Sequence, residues 1–221
     1  GADDAIVLGS GVAALHALFW TLLKTGDRVV YPKVSYMAVY RLFHELFNRK
    51  FGIETVMVDM TDLEAVKKAI TPGTRLVHIE TPDNPTDGIS DIAAIAKIAH
   101  ENGAVLSVDN TFASPLNQHP LDFGADFVVE SLTKYINGHG DAQGGAIISN
   151  DLATMDRIRY EAQVNVGSVI SPFNAWQIFR GTVTFPLRME RINASTQKIA
   201  EWLEQRQNVT FVSYPGLPSN P

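Results

Sequence analysis

A chain of 221 residues, 45% of them apolar, is long enough to bury a large core in one domain, or in one domain plus part of another. A net charge of −6, with no basic patch interleaved with aromatics, gives no reason to expect a nucleic-acid partner. The absence of cysteine excludes disulfides, thiolate catalysis and cysteine-ligated zinc, and suits a reducing, cytoplasmic setting. The six histidines are scattered without a His-x-x-x-His pair, so no metal site is expected. The longest apolar stretch, 12–23, is interrupted by His16 and is too short to span a bilayer, and no signal peptide is visible, so no membrane partner is expected.

Apolar runs and helical patterns alternate along most of the chain. Ile6-Val7-Leu8 leads into Gly9-Ser10-Gly11, after which a helical pattern covers 12–24 and stops at Gly26. A strand over 28–31 precedes a helix over 36–49, and a strand over 53–58 precedes a helix that Asp62 caps and that runs to 70. Next come a strand over 76–79, a helix from its Asp91 cap to 100, and strands over 104–108, 127–130 and 146–149. This order predicts an α/β fold, a three-layer sandwich around a mostly parallel sheet. From Asp151 onward the pattern is mainly helical, with a break at Ser171-Pro172, a helix end at Gly181 and a long helix over 186–207. A strand is expected over 209–214. The division expected is a large cofactor-binding domain over 1–185 and the start of a smaller α+β C-terminal domain over 186–221.

The segment after the strand 127–130 carries the most chemistry: Ser131-Leu132-Thr133-Lys134-Tyr135, followed by Gly138-His139-Gly140-Asp141. A lysine at a strand end can add its amine to an aldehyde as a Schiff base, and Ser131 and Thr133 are spaced to hold a phosphate beside it. The alternative is a solvated loop lysine. Gly9-Ser10-Gly11-Val12, just before a helix, can turn backbone N–H groups and the helix dipole toward a phosphate. The same string fits a dinucleotide fingerprint or a plain tight turn. The dinucleotide reading needs an acid at the end of the next strand, but that strand ends Val29-Val30-Tyr31-Pro32-Lys33, and Asp27 lies before it. The nucleotide reading is thereby demoted.

Asp109 closes the strand 104–108 and is placed to keep a pyridine nitrogen protonated, or else to cap the loop that follows. Tyr36 stands beyond another strand end, where it could stack on a ring and move a proton, or be an ordinary half-buried tyrosine. In Glu80-Thr81-Pro82-Asp83-Asn84-Pro85-Thr86, Asn84 could bond a ring hydroxyl, although Asn and Pro also favour plain turns. His139 reads as a loop histidine outside the site.

These motifs together resemble the Cys/Met-metabolism (trans-sulfuration) family of pyridoxal-phosphate enzymes: cystathionine γ-synthases, cystathionine and methionine γ-lyases, cystathionine β-lyases and O-acylhomoserine sulfhydrylases. The resemblance runs from Ser10-Gly11-Val12-Ala13-Ala14 through Val108-Asp109-Asn110-Thr111 and Ser131-x-Thr133-Lys134-Tyr135, then through Arg180-Gly181 and Leu187-Arg188-Met189 to Tyr214-Pro215-Gly216-Leu217. It implies pyridoxal 5′-phosphate as cofactor and Lys134 as the Schiff-base lysine and proton shuttle. It further implies that Asp109 pairs with the ring nitrogen, Tyr36 stacks on the ring, and Asn84 lies near the ring oxygen. Gly11, Val12, Ser131 and Thr133 would hold the phosphate, with Ser10 and Thr111 also in the cofactor site.

The activity implied is carbon–sulfur γ-elimination from a small amino-acid substrate such as methionine or cystathionine. Gly138-His139-Gly140-Asp141 looks most like methionine γ-lyases, whereas Ala38 stands where those enzymes often carry a cysteine. γ-Replacement is the close alternative, and a non-catalytic cofactor- or nucleotide-binding α/β domain is the alternative of another class. The resemblance also implies homodimers or homotetramers with shared sites. The family's Tyr-x-Arg segment, which reaches a neighbour's phosphate, is expected before the first residue. The arginine for the substrate carboxylate is expected beyond Pro221, so these residues are expected to be a fragment, or the ordered or processed part, of a longer chain.

Overall fold

Strands that are buried on both faces read as continuous apolar runs, and they demand helices above and below. The computed structural model describes residues 1–220 and has that construction. Its strands are β1 (Asp4–Leu8), β2 (Arg28–Pro32), β3 (Glu54–Val58), β4 (Thr74–Glu80), β5 (Val105–Asp109), β6 (Phe127–Glu130) and β7 (Gly145–Ser149). They form one sheet in the order β1-β7-β6-β5-β4-β2-β3. Only β7 runs against the others, pairing antiparallel with both β1 and β6. The carboxyl ends of β1, β2, β4, β5 and β6 and the amino end of β7 therefore lie along one edge.

Alternation along the strands divides the core. Val29, Tyr31, Leu76, Val129 and Ile147 pack with α1 (Gly11–Leu22) and with Phe43 and Phe47 on one face. Val30, Val77, Ile79, Leu106 and Val108 pack on the other face, under Val66, Ile95 and Ala99. Val66 belongs to α4 (Leu63–Ala69), and Ile95 and Ala99 to α5 (Ile92–Glu101). Helices on both faces make the three layers.

The predicted caps hold. Asp62 accepts from the backbone N–H groups of Glu64 and Ala65, and Asp91 accepts from that of Ala94. The second predicted helix consists of α2 (Met37–Tyr40), a π-helical stretch (Arg41–Asn48) and α3 (Arg49–Phe51). After α6 (Ser114–Asn117) and α7 (Leu152–Ile158), α8 (Pro172–Thr182) leads to the long helix α9 (Phe185–Glu204). No helix among the described residues is long and apolar enough to cross a membrane.

One predicted element is absent. Residues 209–214 have no strand structure, and Phe211 is 80% exposed. A strand needs a neighbour to take its backbone N–H and C=O groups, and the sheet's seven strands lie elsewhere. The β-like composition there has nothing to pair with among the described residues.

Candidate active site

Ligands of open α/β sheets bind beyond the carboxyl ends of the strands. At that edge lies a cavity of about 380 Å³ lined by Ser10, Gly11, Val12, Tyr36, Asn84, Asp109, Thr111, Ser131, Thr133 and Lys134. All ten residues singled out from the sequence thus share one space. Four other lining residues escaped the sequence reading: Leu15, Glu80, Phe112 and Gln143.

The glycine cradle is a matter of clearance. A Cβ on Gly11 would come within 2.9 Å of the Ser131 Cβ and 3.0 Å of its Oγ, so the first turn of α1 and the loop after β6 meet only because Gly11 has none. The Ser10 hydroxyl accepts from the Ala13 backbone N–H at 3.1 Å and caps α1. The free N–H groups of that turn thereby face the same space as Ser131. Thr133 Oγ1 lies 3.2 Å from both the backbone N and the carbonyl O of Gly144, which ties its loop to the start of β7. A cavity bounded by a helix N-terminus and two hydroxyl-bearing residues suits a phosphate.

Asp109 takes the capping role and also borders the cavity. One oxygen accepts from the Thr111 backbone N–H at 3.0 Å and caps the loop, while the carboxyl borders the cavity. Burial raises its proton affinity, while the hydrogen bonds from Thr111 and then the charge of Lys134 favour its ionised form. Thr111 Oγ1 in turn accepts from the Ser131 backbone N–H at 2.8 Å, so the Asp109 and Lys134 loops are bound to each other.

Lys134 sits on the irregular loop between β6 and β7, and that loop is held from outside. The Arg188 guanidinium, on α9, donates to the carbonyls of Tyr135 at 2.6 Å, Ile136 at 3.1 Å and Gly181 at 3.0 Å. His139 Nδ1 lies 2.6 Å from the Asn137 carbonyl, outside the cavity lining.

Glu80 is the main omission. It ends β4 directly beside Asp109 in the β4–β5 register, and only 3% of it is exposed. Burial, followed by the charge of Asp109, pushes its carboxyl up to about 8. The readable signal was its parity: like Asp109, it is the last residue of a strand. Glu130, also buried, is likewise pushed up to about 8 by burial, but it borders a different cavity of about 310 Å³ whose lining is chiefly apolar and carries no lysine.

Residues 1–221 match the family described as Cys/Met metabolism PLP-dependent enzyme. Canavanine gamma-lyase of Pseudomonas canavaninivorans is 49% identical over 221 residues, covering 100% of this chain and 55% of that protein. L-methionine gamma-lyase of Pseudomonas putida is 41% identical over 222 residues, with 100% of this chain and 55% of that protein covered. The crystal structure of metB from Corynebacterium glutamicum superposes with a TM-score of 0.96 at 42% identity, covering 100% of this chain and 57% of that one. The chain spans about half the length of the curated relatives it matches. With its fold, its cavity and a match over its full length, this chain belongs to the family of Cys/Met metabolism PLP-dependent enzymes.

Proposed function

We propose that the protein is a lyase that eliminates the γ-substituent of an amino acid, acting as a carbon–sulfur lyase on methionine or cystathionine, with canavanine as a further candidate substrate. The observation that carries this reading is the convergence of Lys134, Asp109, Tyr36 and the Gly11 cradle on one cavity. The names and identities of the relatives support the γ-lyase class and add canavanine to the substrates worth testing. Pyridoxal 5′-phosphate, when bound, supplies an electron sink that makes an amino acid's α-C–H acidic.

The chain's own residues divide the remaining work. Gly11, Val12, Ser131 and Thr133 would hold the phosphate, with the dipole of α1 behind it and Ser10 capping that helix. Asp109, steadied by Thr111, would keep the ring nitrogen charged, which would stabilise negative charge as it develops in the transition state. Tyr36 would cover the ring face, and Asn84 would bond the ring oxygen. Lys134 would hold the aldehyde carbon and carry a proton at its Nζ. A second reading, γ-replacement by an added thiol, draws on the 43% identity to a relative named cystathionine gamma-synthase.

The reading includes a cytoplasmic location and a homodimer or homotetramer with shared sites. The exposure of Phe173, Phe179 and Val183, each at least 64%, supports an interface along α8 and its C-terminal end. The division at 185/186 is kept as a proposal, supported by the start of α9 at Phe185.

The test begins with colour. The protein purifies yellow, borohydride fixes the chromophore on the Lys134 peptide, and Lys134→Ala loses that attachment. Methionine, cystathionine and canavanine then yield a 2-oxo acid, while O-acetylhomoserine with cysteine reports on replacement. A colourless protein that stays colourless with added cofactor refutes the reading.

A further inference from the structure

We propose that Glu80 is a positioning residue of this site: its carboxyl is the anchor that ties the Tyr36 loop to the end of β4, and so sets the ring-facing side chain of Tyr36. The inference rests on the cofactor reading above for its purpose, but not for its geometry.

The geometry is specific. Glu80 Oε2 accepts the Tyr36 backbone N–H at 2.7 Å, across 44 residues of sequence. The Asn84 backbone N–H, four residues on, also favours the charged form of this group. Tyr36 itself has neither a side-chain cap nor a strand neighbour to hold it; it is the residue just before α2, with extended dihedrals of φ −53° and ψ 129°. Its side chain is 45% exposed and makes no aromatic pair, so packing alone does not hold it. The backbone bond to Glu80 is therefore its firmest attachment to the sheet. On the far side Glu80 lines a smaller cavity of about 130 Å³ with Lys33, Val34, Asp83 and Thr86, which places it in the wall between the two loops.

The register makes this anchor part of the site rather than of the general scaffold. Glu80 and Asp109 are paired residues on neighbouring parallel strands, so their side chains leave the same face of the sheet. The carboxyl that positions the ring's cover thus stands beside the carboxyl that faces the ring nitrogen. A shift of Glu80 moves Tyr36 relative to Asp109. A buried carboxylate is costly, and burial here raises its proton affinity strongly. The Tyr36 N–H bond, with the nearby Asn84 backbone N–H, is what favours the charged form.

Three variants in the full chain separate anchoring from charge. Glu80→Gln keeps an acceptor oxygen and removes the charge; Glu80→Ala removes both; Glu80→Asp keeps the charge but withdraws it by one methylene and retains most of the packing. Two readouts apply: amide hydrogen exchange of the peptide bearing Tyr36, followed by mass spectrometry without cofactor, and visible circular dichroism of bound pyridoxal phosphate. The expected result is exchange at least about ten-fold faster in Glu80→Ala and Glu80→Asp, a loss on the scale of one hydrogen bond, with Glu80→Gln within about three-fold of the parent. The visible dichroic band falls in the same two variants. If Glu80→Ala does not fold, Glu80→Asp carries the test. Unchanged exchange in Glu80→Asp, or a Glu80→Gln variant as labile as Glu80→Asp, overturns the anchor. A parent protein with no visible band refutes the cofactor reading instead, and the exchange experiment still decides the role of Glu80.

Discussion

Gly138→Ala tests how the Lys134 loop is held. Gly138 has φ +74°, and a Cβ built there would lie 1.8 Å from Arg188 Nη1 and 2.2 Å from its Cζ. The guanidinium must leave, and with it go the donations to the carbonyls of Tyr135, Ile136 and Gly181. Left-handed backbone costs an alanine about 1–2 kcal/mol, and losing charge-assisted bonds adds roughly 2–3 kcal/mol, so the total is about 3–5 kcal/mol. Urea unfolding at equilibrium measures it, by linear extrapolation. The mechanism has a signature in a double-mutant cycle. Once Arg188→Ala has removed the partner, adding Gly138→Ala costs only the backbone strain, about 1–2 kcal/mol. Gly140→Ala is the control, because its φ is +69° and nothing lies within 4 Å of the added Cβ; it pays the same strain without a clash. Full additivity of Gly138→Ala and Arg188→Ala, or equal costs at 138 and 140, refutes the reasoning.

Gly11→Ala pushes a methyl toward Ser131 and fills the anion cradle. It is expected to weaken cofactor binding at least about ten-fold in equilibrium dialysis and to cost about 1–3 kcal/mol of stability through overpacking. Glu130 gives a pH signature: one oxygen accepts from Asn110 Nδ2 at 2.7 Å, and Oε2 has no hydrogen-bond partner. Its folded value of about 8 lies above the ordinary 4.5, so the folded state binds the extra proton. The contribution to stability is full below 4.5, declines as pH rises toward about 8, and is level above it. Urea midpoints should fall across that window in the parent and fall less steeply in Glu130→Gln; identical slopes disprove the assignment.

Much of the site was legible because its chemistry is written locally. Lys134 with two flanking hydroxyls, Gly11 before a helix, and Asp109 at a strand end each sit in short segments whose residue types dictate their geometry. Helix caps at Asp62 and Asp91 were readable for the same reason, since a cap bonds only two or three residues ahead. Glu80 was not recognised, because its partners are Tyr36, 44 positions away, and Asp109, which lies beside it only through strand pairing. The expected strand over 209–214 failed on the opposite ground. Its composition suits a strand, but pairing is a property of neighbours.

The sequence by itself determined the alternation of strands and helices, their approximate limits, and the residue types at each strand end. Period-two and period-3.6 burial, turn glycines and caps act within a few residues, so they are encoded where they act. Tertiary structure alone decided that β7 runs backward between β1 and β6, bringing Gly145 to the same edge as Leu8 and Glu130. It also decided that Arg188 reaches back more than 50 residues to hold the Lys134 loop, and that Glu80 and Asp109 stand side by side. Such contacts follow from strand order and packing, which join distant segments through space and leave no mark on local periodicity.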